Sequence, residues 1–399
     1  MNSIPFCVLK HVIGTPRHLL FNDGFSWVDV IPDHTFFVND VVLENDNWCL
    51  NTVARLANVD LQLLPPSRFI NAIRSCSFTG DVPWQKVMPI REHHAFVSGI
   101  IDRSNVSIGS PSLGYFETVW RAGNAVIASL QPVHVDRSKW QTLISLNRGN
   151  VPAIRSFEPN DEGVANRIVY NRFATLTGRL TVQSGCPQIL TLNREFRNLM
   201  VSRYGSEGSI VAIDFASLEA RVLLYEHGGS CDEHDLYGSI AREMGCDRNA
   251  VKGAVISELY GSSRQALSDA LGMSGKELTA FVKRIKLQFR TSELLERIKA
   301  SFIANGYLTN RYGRRVVIDD PLDNVLVNYY AQSTGVDVTM LGFNQIIGLL
   351  PNRAHPVFLL HDAMIVDVHN DDLEAVMAID HVRVRGYIQR FYMKSTIIA

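Results

Sequence analysis

The feature that most constrains this chain is an apolar run that stops on an acid and turns at once into a helical pattern: Val211-Ala-Ile-Asp-Phe-Ala-Ser-Leu-Glu-Ala-Arg221. Ile210 to Ile213 read as a strand ending on Asp214. Leu218, Val222 and Leu223 then recur at helical spacing until Gly228-Gly229 ends the helix. A strand-to-helix switch of this kind holds its acid at a sheet edge, where a divalent metal can reach it. Glu219 and Arg221 fall in the helix's first turns. Taken alone, the commoner explanation is structural, because an acid at a helix N-terminus is favourable in its own right.

Two further stretches change that balance. In Arg248-Asn-Ala-Val-Lys-Gly-Ala-Val-Ile-Ser-Glu-Leu-Tyr-Gly261, residues Arg248, Lys252, Ile256 and Tyr260 are spaced four apart. A helix advances about 100° per residue, so each step of four drifts by only about 40° and all four share one broad face. Two cations one turn apart can clamp a polyphosphate, and the ring can stack on a base. An amphipathic helix with a basic rim has the same spacing. In Val357-Phe-Leu-Leu-His-Asp-Ala-Met-Ile-Val-Asp-Val368, apolar runs flank His361-Asp362 as in a β-hairpin with a charged tip. Asp362 is then a second acid at a strand end, costly to bury unless something pairs with it.

Weaker signals surround these three. Thr177-Gly178-Arg179 places a glycine that admits close backbone approach beside a cation that can fork onto a phosphate. Tyr312-Gly-Arg-Arg315 makes a turn followed by two cations, and Asn328 and Gln332 lie one helical turn apart. Asp136 is placed to cap a helix carrying Trp140, Leu143 and Ile144, and Asp235 to cap another running to Met244. Ser274 to Glu277 is a capping box opening a basic helical region, with a break expected near Thr291-Ser292 and an end at Gly306. Phe116, Val119 and Trp120 share a helical face. Phe25 to Ile31 and Thr35 to Val38 read as strands, and Pro152 to Gly163 as a connection. His93-His94, and the group His227, Cys231, Asp232 and His234, contain metal-ligating types. Neither has regular ligand spacing, which makes a surface pair and a coincidence the commoner explanations.

A chain of 399 residues is expected to form two or three domains. Its 46% apolar and 20% charged content is that of a soluble globular protein, with no signal-peptide pattern and no stretch approaching a membrane span. Six scattered cysteines without a Cys-x-x-Cys pair are expected as free thiols in a reducing compartment. The net charge of −1 speaks against a nucleic-acid partner only on average. Residues 241 to 315 carry fourteen Lys and Arg against seven Asp and Glu, a local charge of +7. Such a module suits a phosphate-rich ligand, although solvated helical surfaces carry charge runs about as often.

Acid, cation helix and second acid, in that order, are the parts that two-metal nucleotidyl transfer requires. Here the sequence resembles family A DNA polymerases, the DNA polymerase I type. Asp214-Phe-Ala-Ser-Leu-Glu-Ala-Arg221 is similar to the family's first motif, Arg248, Lys252, Tyr260 and Gly261 to its second, and His361-Asp362 to its third. Thr177-Gly-Arg-Leu180 with Gln188, Tyr312-Gly-Arg-Arg315, and Asn328 with Gln332 fall where the family places similar residues. The resemblance covers residues 170 to 370.

The resemblance implies an α+β right-hand fold: an antiparallel-sheet palm at 166–230 and 321–399, helical fingers at 231–320, a helical thumb at 101–165, and an N-terminal region of unknown role at 1–100. Asp214 and Asp362 would be the catalytic acids and hold two Mg²⁺ ions, with Mn²⁺ as a substitute. Arg248 and Lys252 would bind the triphosphate of an incoming deoxynucleotide, Tyr260 would pack near the nascent base pair, and Ile256 would lie at the nucleotide. Glu219 would exclude a 2′-hydroxyl. Arg179, Gln188, Asn328, Gln332 and His361 would contact primer-template DNA.

Three residues depart from the family pattern. Ile256 stands where Phe or Tyr is usual, Ala363 where Glu usually follows the third-motif acid, and Ser217 where Gln is frequent. The expected activity is template-directed DNA synthesis. The alternatives are a polymerase-derived primer-template binding protein that has lost catalysis, or a single-subunit RNA polymerase relative, against which Glu219 argues. No Asp-x-Glu pair precedes residue 100, so no 3′–5′ exonuclease is expected. A compact phage-like enzyme, cytoplasmic or in the host cytoplasm and without membrane contact, completes the expectation. The sequence points to no particular processivity partner.

Overall fold

The computed structural model describes the chain apart from residues 1–3, 34, 42–48, 111, 147–150, 173, 261–263, 274, 320 and 399, and apart from the side chains of 112, 258–260, 264, 266 and 270. The chain divides into two compact units, Met1–Arg121 with Gly313–Arg315, and Ala122–Tyr312 with Val316–Ala399.

In the first unit β1 (Phe6–Val8), β2 (His18–Phe21), β3 (Phe25–Val28) and β4 (Phe36–Val38) form a sheet in the order β3-β2-β1-β4. β1 runs antiparallel to β2 and parallel to β4. Both stretches expected as strands therefore are strands. Among the helices that follow are α1 (Leu50–Leu56) and α2 (Ile90–Ile108). His93 is buried on α2, and its Nε2 donates to the Ile13 carbonyl at 2.7 Å. That makes it a core hydrogen bonder. Phe116, Val119 and Trp120 share a buried face on one π-helical turn. Arg314 donates to the Tyr115 hydroxyl and stacks 4.9 Å from that ring's centre. Arg315 donates to the Ala57 carbonyl at 2.7 Å. These two cations tie this unit's own parts together.

Near the start of the second unit lies α3 (Arg137–Ser145), capped as expected by Asp136, whose carboxylate accepts the Lys139 N–H at 3.0 Å. The expected connection at 152–163 opens instead with a helical turn, Val151–Arg155. Pro152 sits in its first turn, where a missing N–H removes no hydrogen bond.

The unit's centre is a sheet of β5 (Gly208–Phe215), β6 (Ala354–Leu360), β7 (Ala363–His369), β8 (His381–Val382) and β9 (Phe391–Ile397), in the order β6-β7-β5-β9-β8. Every pairing is antiparallel. Asp367 is fully buried in β7 and is matched there by Ser202 at 2.6 Å and by the backbone and side-chain N–H groups of Arg203, each at 3.0 Å. A buried carboxylate is tolerable only with such partners.

Further helices of this unit include α4 (Leu218–Tyr225), α5 (Leu236–Met244), α6 (Arg248–Tyr260), α7 (Arg264–Leu271), α8 (Gly275–Phe289), α9 (Thr291–Asn305) and α10 (Asp323–Leu349). Helices α7 and α8 share a small core of their own around Leu267, Leu278 and Val282. The expected break falls at Arg290, whose φ of 46° separates α8 from α9. Gly306, at φ 77°, ends α9. Ser274 of the expected capping box lies outside the described residues. The 27-residue α10 packs so closely against the sheet that a Cβ at Gly342 would stand 2.6 Å from Phe215 Cζ. That contact braces β5 one residue past Asp214.

Gly228, at φ 74°, ends the run of α4 as expected, two residues after Glu226, which keeps helical dihedrals and whose N–H donates to the Val222 carbonyl at 3.1 Å. The buried Glu226 carboxylate takes Arg297 of α9 at 2.7 Å, the Tyr330 and Tyr387 hydroxyls at 2.8 Å each, and Arg311 at 3.3 Å. Burial pushes this carboxyl up, but the bonds to Arg297, Tyr330 and Tyr387 and the Arg311 charge outweigh it and hold it below the usual range. No helix among the described residues is long and apolar enough to cross a membrane.

Candidate active site

Asp214 occupies the last turnless stretch of β5. In register with it stand Ala363 of β7 on one side and Lys394 of β9 on the other. Register partners in antiparallel strands share a face of the sheet, so the acid has a methyl group and a cation as lateral neighbours. The chain then turns sharply, with Ser217 at φ 57° just before α4.

Arg221 fixes this switch from beneath. It is fully buried and donates through Nε to the Ala216 carbonyl at 2.9 Å, and through its other nitrogens to Tyr225 Oη and the Cys231 carbonyl at 2.9 Å and the His234 carbonyl at 3.1 Å. Its guanidinium also stacks 4.8 Å from the Tyr392 ring centre. One arginine thus joins the end of β5 to the loop ahead of α5. The cluster His227, Cys231, Asp232 and His234 belongs to this loop. No group of three or more metal-ligating side chains exists among the described residues.

Asp362 comes from the other side of the ladder. His361, at φ 55°, makes the tip between β6 and β7, and the Asp362 carbonyl accepts the Phe215 N–H at 3.1 Å. The two acids, 148 positions apart in the chain, therefore meet through the backbone pairing of β5 and β7. The Asp214 carboxyl senses Asp362. Burial and the Asp362 charge push Asp214 up to about 7, against the opposing pull of Lys394 and the Phe215 N–H. Burial also raises Asp362, helped by Glu219 and opposed by its own N–H and by the charges of His361 and Arg179. Two anions that resist ionising together form a site that gains from a bound cation.

A cleft of about 380 Å³ opens over Asp362 and gathers six of the residues singled out in the sequence: Asp362, His361, Glu219, Arg179, Ile256 and Gln332. Arg179 reaches Glu219 at 2.8 Å, so two residues from separate motifs meet as an ion pair in the cleft wall. Helix α6 presents Ile256 to the cleft. Lys252 is exposed one turn earlier, and Arg248, at the helix start, is paired with Asp235 at 2.7 Å. Tyr260 ends α6; its side chain, and Gly261, lie outside the described residues.

Two other residues are placed differently. The Gln188 amide turns back into its own loop, donating to the Gln183 and Cys186 carbonyls at 3.0 Å each. Asn328 is half-buried on α10, with its Oδ1 buried and without a hydrogen-bond partner. Tyr237 of α5 also lines the cleft, and its hydroxyl bonds to the Ser217 side chain. Sequence reasoning passed over it because a lone tyrosine near a helix start carries no pattern. Lys394 was missed for a similar reason, since only the strand register brings it to Asp214.

The model of DNA polymerase family A matches residues 140–385, well over half of the chain. The chain belongs to DNA polymerase family A. Among curated relatives, this family A chain is 27% identical over 244 residues to the thermostable DNA polymerase I of Thermus filiformis, covering 53% of this chain and 29% of that protein. It is 25% identical over 269 residues to the DNA polymerase of Bacillus phage SP01, covering 56% of this chain and 29% of that one. The chain thus spans under a third of the length of these relatives. Among solved structures, the POL domain of Pol1 from M. smegmatis, in complex with DNA primer-template and dNTP, superposes with a TM-score of 0.57 at 12% identity. The match covers 100% of this chain and 95% of that one, so the two share a fold. As a family A member the chain is α+β, with an antiparallel sheet carrying both acids.

Proposed function

We propose that this chain is a template-directed DNA polymerase, adding deoxynucleotides to a primer 3′ end. The observation that carries the reading is the meeting of Asp214 and Asp362 on paired strand ends beside a cleft walled by Glu219 and α6. The co-complex of the M. smegmatis POL domain with primer-template and dNTP supports the same class of ligands here.

The donor set fits Mg²⁺, which is commonly held by one or two protein carboxylates together with substrate phosphates. Asp214 and Asp362 would hold two such ions, with Mn²⁺ as a substitute. When bound, these ions supply charge neutralisation and activation of the attacking hydroxyl. The chain's own residues do the rest. Arg248 and Lys252 bind the triphosphate along one helix face, and Ile256 and Tyr260 continue that face toward the base pair. Glu219, oriented by Arg179, lies under the sugar and rejects a 2′-hydroxyl. Gln332, His361 and Arg179 contact the DNA from the cleft wall. Gln188 and Asn328 extend that contact, Gln188 after releasing its loop carbonyls. On this reading residues 166–230 and 321–399 are the palm, 231–320 the fingers and 101–165 the thumb, in a protein of the cytoplasm.

Primer extension tests the reading. A labelled primer annealed to template, with Mg²⁺ and four dNTPs, is extended by the wild type and not by Asp214→Ala or Asp362→Ala. Undiminished extension by either variant overturns the site assignment, and no extension by a wild type that binds the primer-template overturns the function.

A further inference from the structure

Arg248 is the first residue of α6, and its guanidinium is held on one side only. Its Nε donates to Asp235 Oδ2 at 2.7 Å. The two terminal nitrogens, the end that forks onto an anion, make no hydrogen bond recorded among the described residues. Asp235 is occupied on both oxygens. Oδ1 accepts the Gly238 N–H at 3.1 Å and caps α5, while Oδ2 takes Arg248. One carboxylate thus sets the start of α5 and the aim of the first cation on α6. Gly238 completes the arrangement, because a Cβ there would run into Asp235 Oδ2.

A guanidinium gripped at Nε cannot rotate freely about its last bonds, yet it keeps its end-on pair of donors for a ligand. A carboxylate that competed for the anion site would occupy that end pair instead. The geometry therefore separates orientation from competition. We infer that Asp235 is a positioning residue for nucleotide binding, holding Arg248 by Nε so that its terminal fork meets the polyphosphate of the incoming nucleotide. This rests on the reading of Arg248 as a triphosphate ligand. Sequence alone showed Asp235 only as a helix cap.

The test uses nucleotide affinity in two readouts: steady-state KM, and equilibrium dNTP binding to the full chain on a dideoxy-terminated primer-template. Asp235→Asn keeps a good cap, since asparagine serves that position as well as aspartate. An amide has one acceptor oxygen, however, and with it on Gly238 its NH₂ faces the Arg248 Nε donor. Asp235→Asn raises KM and Kd for dNTP about two- to fivefold with kcat unchanged, the size that an exposed ion pair supports. Gly238→Ala, which favours the helix by propensity, raises KM in the same way by displacing Oδ2. In an Arg248→Ala background neither substitution has a further effect. If Arg248→Ala raises KM while Asp235→Asn leaves it unchanged, or if the two effects multiply, the positioning role is overturned. If Arg248→Ala itself leaves KM unchanged, the reading of Arg248 fails first and the inference with it.

Discussion

The acid end and the cation helix of this site are built by different means. Asp214 and Asp362 are placed by backbone: one strand ladder, a hairpin tip, and an α10 contact too close to admit a side chain at Gly342. Arg248 and Lys252 are placed by side chains on an exposed helix, and Arg248 pairs with Asp235 where both are about half exposed, at 48% and 44%. Backbone ladders in a packed sheet yield little to single substitutions, whereas exposed ion pairs contribute little stability and are screened by salt. The acid end should therefore fail by losing chemistry, and the cation helix by losing affinity.

The largest effect that sharpens this contrast is at the acids. Asp214→Ala and Asp362→Ala each lower the single-turnover rate by about 10³-fold or more, while circular dichroism shows the fold retained. A variant that unfolds would place the acids in the structural role the first motif has when read alone. Next comes the junction that orients α4. Glu226→Gln leaves Arg297 and Arg311 facing a neutral group in a buried network and costs about 3 kcal/mol of stability in urea unfolding. A loss within 0.5 kcal/mol, the scale of a surface substitution, would mean the network is only decoration.

At the cation helix, Arg248→Ala raises the dNTP KM about tenfold with kcat little changed. The wild-type KM also rises between 50 and 200 mM salt. A kcat defect of equal size, or no salt dependence, would erase the distinction between the two ends.

The smallest effect is in pH. Asp214's carboxyl is raised from 3.8 to about 7 in the folded chain, so between these values the folded state binds more protons than the unfolded. Its contribution to stability is greatest at low pH and is lost as pH rises toward 7. Without metal, the Tm of the wild type minus that of Asp214→Asn falls across that window, and Mg²⁺ removes the fall. Parallel curves would show that neither burial nor the Asp362 charge raises this carboxyl in the folded chain.

What could be read from the sequence follows the same division. The strand end at Asp214, the hairpin at His361-Asp362 and the caps at Asp136 and Asp235 are local patterns, and all were legible. The burial of Glu226 was not, because its partners Arg297, Arg311, Tyr330 and Tyr387 come from distant segments. Lys394 beside Asp214 follows from a register between β5 and β9 that no local pattern encodes. Arg314 and Arg315 read only as two cations after a turn, and the structure pairs them with Tyr115 and Ala57. Charge type was visible, and partner choice was not.

On the proposed function, two acids on paired strands serve templated nucleotide addition. Single-nucleotide incorporation measures it most directly, with each of four dNTPs offered in turn to a primer-template, for wild type and Asp214→Asn. The wild type is expected to add the complementary nucleotide and the variant none, with primer-template affinity unchanged. Incorporation that ignores the templating base, or that persists in Asp214→Asn, would contradict it.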